Sequence, residues 1–184
     1  MSRRRVVVPG LGMVTPLGNT VASTWEGILA GKSRAGPIET VDASPSTTTF
    51  SASLKDFSVE PYLKPKDARK MDPFIQYGMV AGIQAIEDSG LEITEENAPR
   101  IGAAIGAGIG GIGSIEDGAH LIETKGPRRI SPFFVPGAII NMIAGNIAIK
   151  YGFKGPNSAV VTACTTGTHN LGYAARTIAY GDAD

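Results

Sequence analysis

A single cysteine between a strand-like run and a helix-like run constrains the fold of this chain most. Residues 158–163 are apolar and rich in β-branched side chains, which predicts a short buried strand. Cys164, the only cysteine among the 184 residues, follows directly. Five apolar side chains beyond it recur at the spacing of one helix face: Leu171, Ala174, Ala175, Ile178 and Ala179. Gly181 then predicts the end of that helix.

This position suits a reactive thiol. The first backbone N–H groups of a helix lack internal partners, and the helix dipole places partial positive charge there. Both effects stabilise a thiolate, and the same N–H groups can hold the oxyanion that develops on an acyl carbonyl. A lone cysteine is also commonly a small buried apolar residue. The position of Cys164 alone leaves both interpretations open.

Size, charge and cysteine content narrow the class of protein. A chain of 184 residues with 42% hydrophobic content is long enough for one domain with a real core. Seventeen basic residues balance seventeen acidic ones, which argues against nucleic-acid binding driven by net charge. One cysteine excludes an intrachain disulfide and suits a reducing cytoplasm. No apolar run reaches the length of a membrane span or of a signal peptide.

The first half of the chain predicts a strand and two helices. Residues 5–8 read as a buried strand, and residues 32–63 as loops with short strands. Asn19 or Thr20 is the expected cap of a helix that ends at Gly31. The expected inner face of that helix consists of Val21, Trp25, Ile28 and Leu29. Asp72-Pro73 predicts the start of a second helix, apolar on most sides and therefore buried, that ends at Gly90.

The second half adds strands at 101–105 and 158–163 and helices at 114–124 and 136–151, the last closed by Gly152. This alternation predicts an α/β fold in which helices cover a mixed sheet. Residues 106–111 match G-x-G-x-x-G after a strand, a pattern seen in dinucleotide sites. No convincing second strand with an acidic end follows. We therefore expect a glycine-lined wall at which a substrate passes close to the backbone.

A cysteine nucleophile in acyl transfer usually works with a histidine, and only His120 and His169 are available. His169 lies five residues after Cys164, about 140° further round a helix, so the two do not share a face. His120 lies in a polar helix. We expect both histidines to be structural or solvated rather than catalytic.

Several motifs resemble those of the β-ketoacyl-[acyl-carrier-protein] synthases, and the elongating enzymes of type II fatty acid synthesis are the most similar. They are residues 162–170 around Cys164, Arg69-Lys70-Met71-Asp72, residues 130–136, and residues 180–184. The resemblance implies a thiolase-like layered α/β fold. It also implies that residues 1–184 are an N-terminal domain without its final strands and the C-terminal half. In that family the cysteine at the position of Cys164 carries the acyl group as a thioester.

The resemblance also implies further site residues. Gly108, Ile109 and Phe134 are expected to line the acyl pocket. The two histidines of the family lie in motifs that this chain does not contain, and no cofactor or metal is expected. Docking of the acidic acyl carrier protein is expected at five basic residues: Lys66, Arg69, Lys70, Arg128 and Arg129. Basic patches attract an acidic partner, although an ordinary solvated basic face has the same composition.

The implied reaction has two stages. Cys164 accepts an acyl group from acyl carrier protein; malonyl carrier protein then loses carbon dioxide, and its carbanion attacks the thioester. We expect this chain alone to acylate weakly and not to condense. The resemblance also implies a homodimer with residues 158–163 at its twofold interface. A thiolase, an initiating synthase, and a non-catalytic fragment that binds carrier protein or a partner subunit remain as alternatives.

Overall fold

The structure, a computed structural model that describes residues 4–184, alternates helices with very short strands. The described residues form seven α-helices: α1 (Val21–Leu29), α2 (Pro65–Ala68), α3 (Pro73–Ser89), α4 (Ile112–Lys125), α5 (Phe134–Ala138), α6 (Met142–Tyr151) and α7 (Thr166–Tyr180). Four strands are two residues long: β1 (Gly36–Pro37), β2 (Phe50–Ser51), β3 (Ala103–Ala104) and β4 (Asn157–Ser158). Single 3-10 turns occupy Ala98–Arg100, Pro127–Arg129 and Ala163–Thr165.

Helix α3 begins and ends where the sequence predicts. Asp72 caps it, since its Oδ1 accepts from the Phe74 N–H at 3.2 Å, and Pro73 occupies the first turn, where no N–H is needed. Gly90 ends it at φ 64°, a left-handed conformation that glycine adopts without a Cβ clash. The predicted start, end and burial of this helix are confirmed.

The core lies between α3 and α6. Its buried side chains include Ile75, Met79 and Ile83 of α3 and Ile143 and Ile147 of α6. The glycines of α3 allow this close packing: a Cβ on Gly78 would lie 2.6 Å from Ile143 Cδ1, and one on Gly82 would lie 3.0 Å from Ile147 Cδ1. The small residues therefore admit isoleucine side chains from the facing helix.

Strands β3 and β4 pair in parallel, with Ala103 beside Asn157 and Ala104 beside Ser158. The predicted strands 101–105 and 158–163 are therefore much shorter than expected. After β4 the backbone leaves the ladder, because side chains of α7 take over the hydrogen bonds of residues 160 and 162. A separate antiparallel pair joins β1 to β2, inside the stretch predicted to hold loops and short strands.

The predicted strand at residues 5–8 is wrong. These residues form no strand, and Val7 and Val8 are 69% and 70% exposed. The segment that follows is held by α3 rather than by a ladder. Two of its N–H groups donate to α3 side chains: Leu11 to Asp88 at 2.9 Å and Met13 to Gln84 at 3.1 Å.

Helix α1 is capped by Thr20, as predicted, in a reciprocal arrangement with Ser23. Its expected inner face is wrong, since Trp25, Ile28 and Leu29 are exposed. The residues that face the protein are Thr24 and Gly27. Thr24 Oγ1 lies 2.9 Å from Thr15 Oγ1, and Leu17 covers Gly27. A search for large apolar residues at helical spacing misses this packing face, because its residues are small or polar.

Two other helix boundaries differ from the prediction. The helix expected at 136–151 is divided into α5 and α6, because Ile139 takes an extended conformation at ψ 144°. The helix expected at 114–124 begins two residues earlier, directly after Gly111, and ends at Lys125. Gly152 and Gly181 close α6 and α7 in the left-handed conformation, as predicted.

The carboxylate of Asp184 joins two distant parts of the chain. It pairs with Arg4 and, at 2.9 Å, with the Arg100 guanidinium. The hydrogen bonds from Arg100 and Arg4 hold the pKa of Asp184 well below its usual range. All three side chains are exposed, so the pairs position the last residues more than they stabilise the fold.

The surface of the chain is large for its mass. It exposes 12,120 Å², whereas compact monomers of 19.1 kDa expose roughly 8,400 Å². The exposed apolar side chains include Val8, Val135, Ile149 and Leu171. Apolar exposure of this extent is typical of surfaces that other protein covers. No helix in the described part of the chain has the length and apolar character needed to cross a bilayer.

Two glycine substitutions in helices are expected to change the free energy of unfolding in opposite directions, because one lies in the α3–α6 packing and the other lies in open space. Gly78→Ala places a Cβ within 3.0 Å of three atoms of the buried Ile143 side chain, so we expect a loss of about 1–2 kcal/mol in the free energy of unfolding. Gly172→Ala, in α7 with no atom within 4 Å, should add about 0.5–1 kcal/mol. Urea unfolding measures both. A Gly78→Ala protein as stable as the parent would contradict the described packing.

Candidate functional site

The predicted junction around Cys164 is present. Cys164 lies in the 3-10 turn Ala163–Thr165, which leads without interruption into α7 at Thr166. Cys164 is exposed, and its thiol is free. Exposure is inconsistent with a small apolar core residue, the alternative that the sequence left open. The thiol therefore lies at the N-terminus of a fifteen-residue helix, in contact with solvent.

The backbone before the thiol bends sharply. Ala163 has φ 49°, a left-handed conformation that costs a non-glycine residue free energy because its Cβ approaches its own carbonyl. Two hydrogen bonds close the bend: the Thr162 N–H donates to Thr166 Oγ1 at 2.9 Å, and the Thr165 N–H donates to the Thr162 carbonyl at 3.0 Å. Such strain persists only where the surroundings determine the backbone path.

Asn170, one turn further along α7, anchors the segment that enters the bend. It is 4% exposed. Its Oδ1 accepts from the Val160 N–H at 3.1 Å, and its Nδ2 donates to the Val160 carbonyl at 3.0 Å and to the Thr166 carbonyl at 2.8 Å. The side-chain amide thus satisfies both backbone groups of Val160, as a neighbouring strand does in a sheet.

The glycine-rich segment 106–111 packs against this bend. A Cβ on Gly106 would lie 2.1 Å from the Val160 carbonyl oxygen and 2.7 Å from Asn170 Nδ2. A Cβ on Gly108 would lie 3.5 Å from the Ala163 carbonyl oxygen. The first glycine of the motif is therefore required by contact with protein backbone. Helix α4 begins directly after the motif, as in a dinucleotide site. The backbone that Gly106 and Gly108 contact, however, is the segment that leads into Cys164.

The residues expected in the acyl pocket lie in different surroundings. Gly108 and Ile109 are exposed, Ile109 at 70%. Phe134 is half-buried and lies across α4, where a Cβ on Gly118 would be 2.4 Å from its ring. Phe134 lines a cavity of about 300 Å³ that Gly108 and Ile109 do not line. The described residues alone do not bring the three expected residues together in that cavity.

The basic residues lie on two neighbouring segments. Lys66, Arg69, Arg128 and Arg129 are exposed, whereas Lys70 is half-buried. Lys70 Nζ lies 3.1 Å from Asp67 and 5.3 Å from the centre of the Phe133 ring. The hydrogen bond from Lys70 lowers the pKa of Asp67. Arg69 and Lys70 line the 300 Å³ cavity together with Ile130 and Ser131, the residues that follow Arg129. The two basic segments therefore adjoin.

A second, larger concavity borders the same basic segment. Its volume is about 930 Å³, and it opens between the stretch before α3 and helix α6. Its lining is mainly apolar and includes Tyr62, Leu63, Met79, Met142 and Ile149. Lys70, Met71 and Phe133 line both concavities, so the two lie next to each other. The sequence did not indicate this groove, because its walls come from segments far apart along the chain.

Neither histidine is hydrogen-bonded to the thiol in the described part of the chain. His169 is exposed, and its Nδ1 lies 3.3 Å from Thr162 Oγ1. His120 is exposed on α4. Among residues 4–184 no hydrogen bond joins either ring to Cys164. The expectation that both histidines are structural or solvated is consistent with these positions.

The inner face of α7 also corrects a prediction. Leu171 is 68% exposed, while Thr166 and Asn170 are the buried residues of the helix. Sequence reasoning missed both polar residues. The available signal was their spacing of four residues, which places both side chains on one face of the helix. It identifies side chains that meet the same neighbour, although it does not reveal which one.

Comparison with known proteins gives consistent relatives. A family model described as "Beta-ketoacyl synthase, N-terminal domain" matches residues 3–184. The chain is 61% identical over 184 residues to 3-oxoacyl-[acyl-carrier-protein] synthase 2 of Vibrio cholerae, covering all of this chain and 44% of the relative. It is 56% identical to the synthase 2 of Coxiella burnetii, again over all of this chain and 44% of the relative. The synthase 2 of Staphylococcus aureus strain COL is 45% identical over 98% of this chain and 44% of its own length.

Solved ketosynthases share the fold. A chain of the AntDE:AntF complex, a type II polyketide acyl-carrier protein with its ketosynthase, superposes with a TM-score of 0.83 at 27% identity, over 99% of this chain and 49% of that one. A beta-ketoacyl synthase from Burkholderia phymatum gives 0.82 at 25% identity, over 100% and 45%. The chain spans less than half the length of the curated relatives it matches. The expected thiolase-like α/β fold is confirmed, and the chain belongs to the β-ketoacyl synthase family.

Proposed function

We propose that this chain is the nucleophile-bearing part of a 3-oxoacyl-[acyl-carrier-protein] synthase of fatty acid biosynthesis. The observation that carries the proposal is the exposed Cys164 at the N-terminus of α7, in a chain 61% identical to a relative named for that activity. A thiol in contact with solvent at a helix N-terminus is accessible to an acyl donor.

The first step is acyl transfer to Cys164. The sulfur forms a bond to the carbonyl carbon of an acyl thioester on the carrier protein. The bond from that carbon to the carrier sulfur then breaks, and the carrier leaves as a thiol with the proton that the Cys164 thiol gives up. The partial positive charge at the start of α7 favours the oxyanion of the tetrahedral intermediate. The wall formed by residues 106–111 guides the acyl chain past backbone, with Gly108, Ile109 and Phe134 as the proposed pocket residues.

The second step is decarboxylative condensation. Malonyl carrier protein loses carbon dioxide, its carbanion forms a carbon–carbon bond to the acyl carbon, and the Cys164 sulfur is released. That step requires groups that stabilise an enolate. Among residues 4–184 no hydrogen bond joins His120 or His169 to Cys164, so we assign the step to residues outside the described ones. This chain alone then acylates without condensing.

The acyl carrier protein is the proposed partner. The adjoining basic segments that contain Lys66, Arg69, Lys70, Arg128 and Arg129 present positive charge at one surface. An acidic protein is attracted to such a surface over a range set by salt. One structural neighbour is a ketosynthase in complex with its acyl-carrier protein, which supports this partner class.

We also propose a homodimer that works in a reducing, cytoplasmic compartment. Residues beyond β4 form no further ladder, and Val161 is 42% exposed there. Ile149 of α6 is likewise exposed. A second copy would cover such apolar surface. An acyl acceptor must be a free thiol, which favours a compartment that keeps cysteine reduced.

Mass spectrometry after incubation with acyl carrier protein tests the nucleophile. We expect one acyl adduct on the chain, mapped to Cys164, and none on Cys164→Ala. Malonyl carrier protein added next should give no β-ketoacyl product. A thiol that alkylates normally but never acquires an acyl group would favour the non-catalytic, partner-binding alternative. Continuous release of β-ketoacyl product by this chain would contradict the assignment of the second step.

Charge reversal tests the docking surface. We expect the double variant Arg69→Glu, Arg128→Glu to weaken carrier-protein binding at low salt by about tenfold or more, because attraction becomes repulsion at two points. Lys32→Glu, an equally exposed reversal just beyond α1, is the control and should have little effect. Titration by fluorescence anisotropy at two salt concentrations measures the change. Equal binding by all three proteins would show that docking occurs elsewhere.

A further inference from the structure

Two buried polar side chains of α7 have no part in the chemistry proposed above. Thr166 is 5% exposed and Asn170 is 4% exposed. Among the described residues only Thr24 is a comparably buried polar side chain. A buried polar group is unfavourable unless its hydrogen bonds are made, and these two make theirs almost entirely to the backbone of residues 160–166.

The two side chains replace a neighbouring strand. Asn170 binds both backbone groups of Val160, and Thr166 Oγ1 accepts from the Thr162 N–H. Residues 160 and 162 are alternate positions, and a neighbouring strand also binds alternate residues of the backbone beside it. The segment is thus held as far as Thr162, although no strand lies beside it there among residues 4–184.

The bend that follows depends on this anchoring. Ala163 must turn through the left-handed region for Cys164 to emerge at the start of α7. A free chain would relax that residue to a favourable conformation and carry the thiol with it. The anchors lie on both sides of the strained residue: Thr162 before it and Thr166 after it, joined by one 2.9 Å hydrogen bond.

Gly106 completes the arrangement. Its missing Cβ leaves room for the Val160 carbonyl, Asn170 Nδ2 and Thr166 Cγ2, which would lie 2.1, 2.7 and 3.0 Å from that atom. The first glycine of the motif that resembles a nucleotide loop is therefore explained by the two anchoring side chains and the backbone that they hold.

We infer that Thr166 and Asn170 are positioning residues for Cys164, which set its reactivity by holding the strained bend at Ala163. They touch no substrate and act through the backbone. The inference rests on the proposed role of Cys164 as the acyl acceptor. It adds that the site is built by α7 from its own side chains, so the thiol is placed before any substrate binds.

Alkylation of the chain by iodoacetamide tests this directly, since Cys164 is its only thiol. Thr166→Val removes the acceptor for the Thr162 N–H with little change of shape. We expect it to slow alkylation by about fivefold or more, the effect of one net hydrogen bond on the population of the reactive bend. Thr166→Ser keeps the hydroxyl and should restore the rate to within about twofold.

Thr24→Val is the matched control. Thr24 is equally buried, and its hydroxyl bonds Thr15 and the Gly18 carbonyl, away from the thiol. We expect it to lower the urea midpoint as Thr166→Val does but to leave the alkylation rate unchanged. An unchanged rate in Thr166→Val would overturn the inference. So would an equal slowing in Thr24→Val, because the effect would then be general loosening.

Hydrogen exchange of the parent chain provides a test that needs no variant. The amides of Val160 and Thr162 should be protected, although neither lies in a ladder or helix. Exchange of both at the rate of open loops would also overturn the inference. Alkylation and exchange do not require acyl transfer. The inference can therefore fail while Cys164 still forms an acyl adduct, and it can hold where no adduct forms.

Discussion

The two-way hydrogen bond between the Asn170 amide and the backbone of Val160 is the interaction on which the functional end of this molecule depends. A backbone segment that leaves a sheet must still satisfy its N–H and C=O groups. Here a helix supplies the partners. The same contact ends the β4 ladder, fixes the entry to α7, leaves space only for a glycine at position 106, and directs the chain into the bend before Cys164.

Behind this site, the packing of α3 on α6 supplies the rigid support. The isoleucines of α6 enter the spaces left by the glycines of α3, which brings the two helix axes close. Helix α6 also contacts both β3 and β4, and Asn157 of β4 donates to the Ala144 carbonyl at 3.2 Å. The short parallel pair is therefore attached to the core from one side. Strand β3 also contacts α7, so the strand pair connects the core to the helix that begins beside the thiol.

Much of this could be predicted where local chemistry determines the outcome. The Asp72 cap, the Pro73 turn and the terminal glycines at 90, 152 and 181 each act on backbone within one turn, and all lie where they were expected. The position of Cys164 at the start of α7 is of the same kind. Glycine and capping residues encode helix ends in a few consecutive letters.

The remainder depends on contacts between distant segments. Residues 5–8 and 158–163 have the composition of strands, but a strand exists only where another backbone pairs with it. Trp25 lies on the exposed face of α1 because small residues, not large ones, meet the neighbouring segment there. Asn170 looked like an ordinary polar residue of a helix. Its role is apparent only when the Val160 backbone lies beside it.

The presence of one solvent-facing sulfur per chain has a consequence for handling and storage. In air, two such sulfurs on separate copies can join as a disulfide, which forms by loss of one proton and one electron from each. Because each copy has only one thiol, disulfide formation stops at a pair of chains and cannot produce a polymer. Without reductant, a species whose mass exceeds that of two chains must therefore be held together by its exposed apolar surface. A denaturing gel distinguishes the two kinds of association, because only the disulfide-linked pair persists on it.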